Sequence, residues 1–238
     1  MTGTDTDTGL PAAIILDLDG TLIDAEPVHA EGIARVFADR GVVLSEEDRS
    51  FVIGHAWQEI HAALRTGERL GIDLETLKDL SIAAKERMFA EGLRIPVNEG
   101  APELVRTAVA LAIPIVIVSG SSRREIEHAL PHLGIGELLG FYMGCEDYPR
   151  GKPAPDGFLK AAQRLGIAPA RTLVFEDSEA GIAAGLAAGM RVLATSSCNP
   201  DPGTPGHQDQ SAAHRVVSTL AGLGADELRA VMGEERAS

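Results

Sequence analysis

Residues 12–21 read AAIILDLDGT, a strand-forming run from Ala12 to Leu18 (AAIILDL) whose one polar residue is Asp17, followed by Asp19 and Gly20. The run shows no alternation of apolar and polar side chains, so a strand built from it has two apolar faces, and both must be covered. That is the condition of an interior strand in a parallel sheet with helices on each side. The Asp-Gly pair at 19–20 then marks a turn at the strand's end. Similar short runs recur at 113–118 (IPIVIV), 171–175 (RTLVF) and 190–194 (MRVLA), with weaker strand signals at 141–145 (FYMGC) and 216–220.

Between these runs the apolar period changes to that of a helix. Ala101, Leu104, Val105 and Ala108 share one helical face, as do Ile126, Ala129, Leu130 and Leu133, and Phe158, Ala161, Ala162 and Leu165. Ser122 with Glu125 forms a capping box before the second set, Pro102 suits the first turn of the first, and a last helix is expected at 225–232. Alternating strand and helix predicts an α/β fold, a doubly wound, Rossmann-like parallel sheet. One interval breaks the rhythm: 25–96 holds no convincing strand, and helical stretches are expected at 30–37, 58–70 and 74–91. The reading is an N-terminal tail at 1–11, a core at 12–24 and 97–238, and an inserted helical cap at 25–96.

The chain has 238 residues and a net charge of −14, from 21 basic and 35 acidic side chains. That charge argues against nonspecific binding of nucleic acid or anionic membranes. The longest apolar run, 108–118, contains Pro114 and is too short for a membrane span. Two cysteines, Cys145 and Cys198, cannot form a disulfide framework, and the tail has no basic residues to suggest a secretory signal. A cytoplasmic monomer with a small-molecule partner is expected. Among 26 glycines, Gly181, Gly185 and Gly189 fall four apart and predict a helix with a smooth face against the sheet. The 196–213 stretch, with three prolines and two glycines, is longer than usual for an ordered loop and is expected to be mobile.

In open α/β sheets, ligands bind beyond the carboxyl ends of the strands. Those ends carry Asp17, Asp19, Gly20 and Thr21, then Ser119 and Gly120, then Lys152, then Glu176, Asp177 and Ser178. Four carboxylates gathered at one edge repel: each pair about 4 Å apart costs about 4 kcal/mol at an effective dielectric near 20. A shared cation relieves the repulsion, and oxygen-only donors favour Mg²⁺. With a lysine and hydroxyls nearby, the set suits phosphoryl transfer.

The strings DLDGT (17–21), VSGSS around Ser119, GKPAPD (151–156) and FEDSEAG (175–181) resemble, in order, the four motifs of the haloacid dehalogenase superfamily. The resemblance spans about residues 12–195, and the position of the insert is similar to that family's first cap type. DAEPVH (24–29), KPAPD and EDS resemble the subgroup of β-phosphoglucomutase and sugar-phosphate phosphatases. The resemblance implies Asp17 as nucleophile, Asp19 as general acid and base, and Lys152 as the charge-offsetting cation. It implies Mg²⁺ on Asp17, the Asp19 carbonyl, Glu176 and Asp177, with Thr21, Ser119 and Gly120 at the phosphoryl group. In the cap, Gly54, His55, Trp57, His61, Arg65 and Arg87 are candidates, and His29 and Lys85 are preferred as substrate contacts.

The mutase pattern places an arginine close to the glycine that Gly54 resembles. Here GHAWQE has none, which favours hydrolysis of a phosphate ester over a phosphomutase. A noncatalytic phospho-acceptor is a third reading, disfavoured by the insert and by Asp19. His128 and His132 stand at helical spacing, with no third ligand to make a zinc site.

Overall fold

The computed structural model describes residues 8–233 apart from 54, 56 and 205. The expected tail up to residue 7 and the candidate Gly54 lie outside the described residues. The first strand, β1 (Ala13–Leu16), is buried at every position. Five helices follow: α1 (Glu26–Ala38), α2 (Glu46–Val52), α3 (Trp57–Ala63), α4 (Thr66–Leu70) and α5 (Leu74–Ala90). The alternation then resumes with α6 (Ala101–Ala110), β2 (Ile115–Val118), α7 (Arg123–Leu133), β3 (Tyr142–Met143) and α8 (Asp156–Leu165). It ends with β4 (Thr172–Glu176), α9 (Glu179–Ala187), β5 (Arg191–Thr195), β6 (Arg215–Val217) and α10 (Ala225–Gly233).

The chain divides into two compact units, one built on the sheet and one comprising Asp24–Pro96 with Pro200–His207. The eight residues 200–207 were expected with the core and group instead with the helical segment. The sheet unit has six strands in the order β3-β2-β1-β4-β5-β6, all pairs parallel. From β1 the chain winds outward through β2 and β3, then returns to β4 on the other side. The reversal falls between β1 and β4, the place where an open α/β sheet leaves a crevice at its carboxyl edge. Ile14 pairs with Leu173 and Leu16 with Phe175 in that central register. Ile15, Val116, Val118, Phe158, Val174, Ile182 and Val192 form one continuous core cluster, each such side chain contributing about 1.5–3 kcal/mol when fully buried.

Two of the three spaced glycines meet the expected close approach. A Cβ at Gly185 would lie 2.7 Å from Val192, and one at Gly181 would overlap the Glu176 carboxylate. Gly189 differs: it lies beyond α9 with φ +73° and open space around it, so it serves the helix end rather than a packing face. The expected final strand at 216–220 is observed at Arg215–Val217. Leu220 is buried, but in a turn against Gly100, where a side chain would overlap the backbone of Leu220 and Ala221.

In the helical unit, Ile33, Phe37, Leu44, Val52, Ile60, Leu64 and Leu77 make a separate core. Gly32 lets α1 approach α5 closely, since a Cβ there would stand 2.9 Å from the Lys85 stem. The single helix expected over 58–70 is two, α3 and α4, broken where Arg65 turns left-handed at φ +51°. No Gly or Pro stands at 64–66 to mark the break in the sequence. The short α2 was not anticipated; only Val52 of it is buried, and its signature is a Ser45–Asp48 capping box rather than an apolar face.

Candidate active site

At the carboxyl end of β1, Asp17 donates its backbone N–H to Phe175 O at 2.9 Å, which carries the β1–β4 pairing one residue further and fixes the Asp17 backbone. The residue is only 5% exposed. Lys152 donates to Asp17 Oδ1 and to Glu176 Oε1. Glu176, the last residue of β4, is fully buried. Its Oε2 accepts the N–H groups of Asp177 and Ser178 at 2.9 and 3.0 Å and the Ser178 hydroxyl at 3.0 Å. The same hydroxyl accepts from Gly181 N at 3.0 Å and caps α9. Glu176 is thus pinned by four donors, and Gly181 is glycine because the carboxylate occupies the space a Cβ would take.

The second loop is equally constrained. Gly20 has φ +79°, and a Cβ there would overlap the Asp177 carboxylate. Thr21 is fully buried, and its hydroxyl donates to Asp177 Oδ1 at 3.1 Å. The hydroxyl expected at the phosphoryl group is directed at Asp177 in this structure. Oxygen atoms of Asp17, Glu176 and Asp177 all lie within 4.8 Å of one another. The Asp19 carboxylate stands outside that cluster, half-buried, accepting from Ser121 Oγ at 2.6 Å and Ser119 Oγ at 3.5 Å.

Ser119, at the end of β2, is buried and also accepts from Ser121 N at 3.0 Å. Tyr148 donates its hydroxyl to Ser119 O at 2.6 Å, which fixes the backbone that presents the serine. Gly120 is exposed, and a Cβ there would meet nothing within 4 Å. The cap of α7 is Ser122, in the expected box with Glu125, which leaves Ser121 for Asp19. Tyr148 carried no sequence signal, because a lone tyrosine before GKPAPD has no pattern of its own.

His29 and Lys85 lie in the helical unit. His29 meets Trp57 edge-on, ring centroids 4.6 Å apart, and the Lys85 stem packs over Gly32. His128 and His132 belong to no group of possible metal ligands among the described residues.

Three carboxylates face one ammonium here, and burial is the largest influence on the titration of Asp17 and Asp177. Desolvation pushes Asp17 up to about 8; Lys152 opposes this shift and Glu176 adds to it. Asp177 is likewise held well above the ordinary carboxylate range by burial, then by Glu176 and Asp17. For Lys152, burial acts against the charged form, but Asp17 and Glu176 outweigh it and raise its pKa. A buried, oxygen-only cluster short of positive charge fits a hard divalent cation. Asp17 and Asp177 are the better placed to take one, because Glu176 is already committed to Lys152 and three other donors.

A parallel α/β sheet with acids, hydroxyls and a half-buried lysine at its carboxyl edge suits a hydrolase-type active site. The model of the haloacid dehalogenase-like hydrolases matches residues 11–189, and the chain belongs to that family. Among its relatives, protein CbbY of Rhodobacter capsulatus is 32% identical over 194 residues, 78% of this chain and 85% of that one. The phosphorylated carbohydrates phosphatase of Thermotoga maritima is 28% identical over 178 residues, 75% of this chain and 82% of that one. A haloacid dehalogenase family hydrolase from Deinococcus radiodurans, solved with bound phosphate and sodium, superposes with a TM-score of 0.66. It is 31% identical and the match covers 95% of this chain and all of that one, 100%. The chain is an enzyme and stands among the family's phosphatases.

Proposed function

We propose that the protein is a Mg²⁺-dependent phosphatase that hydrolyses a small phosphate ester, of the sugar-phosphate class, through an aspartyl-phosphate at Asp17. The observation that carries this reading is the pairing of Asp17, in the carboxylate cluster bonded to Lys152, with Asp19 outside that cluster and held by hydroxyls. One strand end thus presents two acids in different environments, as a nucleophile and a proton carrier require.

In the first half-reaction an Asp17 carboxylate oxygen attacks phosphorus and the ester P–O bond breaks. Asp19 gives its proton to the departing alkoxide. In the second, water attacks the phosphoryl group, Asp19 takes the water's proton, and the bond from phosphorus to Asp17 breaks to release phosphate and restore both carboxyl groups. Lys152 holds Asp17 in place and offsets charge on the phosphoryl oxygens, while Ser119 donates to them. A bound divalent cation would supply further positive charge for those oxygens and favour ionised Asp17.

The sugar-phosphate class is supported by the named relative that acts on phosphorylated carbohydrates, and hydrolysis over a phosphomutase by the absence of an arginine in GHAWQE. Choice among such esters is assigned to the helical unit, with His29 and Lys85 as the first residues to vary. Among the described residues no helix is long and apolar enough to cross a membrane, and Cys145 and Cys198 form no disulfide, in keeping with action in the cytoplasm. A phosphate-release screen over sugar, polyol and nucleotide monophosphates, with p-nitrophenyl phosphate as a generic substrate, tests the proposal. Release that requires Mg²⁺ and is highest on a sugar phosphate is expected; no release from any ester would overturn it.

A further inference from the structure

The loop after β5 was expected to be mobile, yet one of its side chains is among the more buried polar groups of the sheet unit. Gln210 is only 5% exposed, and its Nε2 donates to two backbone carbonyls, Asp177 O at 2.6 Å and Thr195 O at 2.8 Å. Asn98 does the same for the other catalytic loop. It is 8% exposed, and its Nδ2 donates to Gly20 O at 2.9 Å and Thr21 O at 3.0 Å. Each carboxamide thus spans two carbonyls with one amino group. Asn98 holds two carbonyls of the Asp19–Thr21 turn, and Gln210 holds that of Asp177 together with that of Thr195 at the end of β5.

The two clamps also share a source. Cys198, from the same loop, donates its thiol to Asn98 Oδ1 at 3.2 Å. Asn199 and Gln208 close the loop's base through a reciprocal pair, Asn199 Nδ2 to Gln208 O at 2.9 Å and Gln208 N to Asn199 Oδ1 at 2.8 Å. The segment therefore reaches the Asp17–Thr21 loop through Cys198 and Asn98, and the Glu176–Ser178 loop through Gln210. Thr21 and Asp177 join those two loops directly.

From this geometry we infer that Asn98 and Gln210 are positioning residues for the hydrolysis proposed above: Asn98 fixes the main chain of one catalytic loop through two of its carbonyls, and Gln210 ties the Asp177 carbonyl of the other to Thr195 O at the end of β5. Neither touches the reacting atoms. A buried carbonyl left without its donor must find another partner or pull the loop toward water, and displacement of a reacting group by about 1 Å can cost about 10²-fold in rate. The inference rests on the phosphatase reading for its catalytic consequence, but not for its structural one.

The test uses the full chain with Asn98→Ala and Gln210→Met, backed by the volume-conserving Asn98→Asp and Gln210→Glu, which replace the amino donor with oxygen. Hydrogen exchange read by mass spectrometry is expected to quicken at least about tenfold over residues 20–23 in the Asn98 variants and over 177–181 in the Gln210 variants. Residues 115–118 of β2 are the internal reference and should not change. In steady-state phosphate release, kcat per folded molecule is expected to fall at least about tenfold with KM changed less than about threefold, the mark of lost transition-state placement. Unchanged exchange in the two loops overturns the inference, as does faster exchange with unchanged kcat. If none of the four variants folds, the carboxamides serve stability alone and the inference fails. A wild-type protein inactive on every ester sinks the phosphatase reading, while the exchange measurement still decides whether the clamps hold the loops.

Discussion

The sheet edge and the helical unit place charged side chains under opposite rules. At the edge, the side chains of Lys152, Asp17 and Glu176 are 15%, 7% and 0% exposed, and Lys152 bonds two carboxylates that strand ends fix. In the helical unit, Arg35 bonds Glu31 and Glu91, Arg49 bonds Glu31 and Arg87 bonds Asp39, with side chains 35–58% exposed. Burial makes the first set expensive to assemble and hence specific; exposure makes the second cheap and replaceable. The lesson is that the chemistry of this chain is concentrated where desolvation is greatest, and substitutions in the two regions should differ accordingly.

The largest difference is expected at Asp17. Asp17→Asn keeps the volume and removes the nucleophile, and should lower kcat by at least about 10⁴-fold in a phosphate-release assay, with folding retained by circular dichroism. Residual activity within tenfold of wild type would erase the distinction between the regions. Lys152→Met retains the apolar stem and leaves Asp17 and Glu176 without their ammonium; kcat should fall by about 10²–10³-fold. Gly181→Ala drives a Cβ into the Glu176 carboxylate and should destabilise by about 1–3 kcal/mol, read from urea unfolding.

A pH series sharpens the contrast further. With its folded pKa raised from 3.8 to about 8, Asp17 is protonated over a range where the unfolded chain would be ionised. Its contribution is therefore fully present below pH 3.8 and is lost as pH rises toward about 8. Metal-free protein should accordingly show a falling Tm between pH 5 and 8, and added Mg²⁺ should raise Tm more at pH 8 than at pH 5. An equal Mg²⁺ effect at both values would mean that the cation does not bind at these carboxylates. The smallest effect belongs to the helical unit: Arg69→Met, which removes the partly exposed pair with Asp48, should change stability by no more than about 1 kcal/mol.

Much of the sheet unit was legible because topology leaves little choice. Once the run 12–18 is read as an interior parallel strand, Asp17 and Asp19 must fall near its carboxyl edge, and the same holds for Ser119 and Glu176; the strand itself is shorter than the run and ends at Leu16. Lys152 was legible through GKPAPD. What escaped the sequence was held by single side chains with no period: Ser121 on Asp19, Tyr148 on Ser119, Asn98 and Gln210 on backbone carbonyls. Thr21 was expected at the phosphoryl group and bonds Asp177, because a hydroxyl's direction depends on the turn that presents it. In the helical unit, one left-handed residue at Arg65 and a capped helix with little buried surface were invisible to an apolar pattern that reads only faces.

The most direct test of phosphoryl transfer to Asp17 is chemical trapping. Protein turning over p-nitrophenyl phosphate with Mg²⁺ is treated with borohydride, which reduces an aspartyl-phosphate to homoserine, and its peptides are sequenced by mass spectrometry. The mechanism requires homoserine at position 17 and none at 19, 176 or 177. Steady phosphate release with Asp17 unmodified, or reduction at another aspartate, would contradict it.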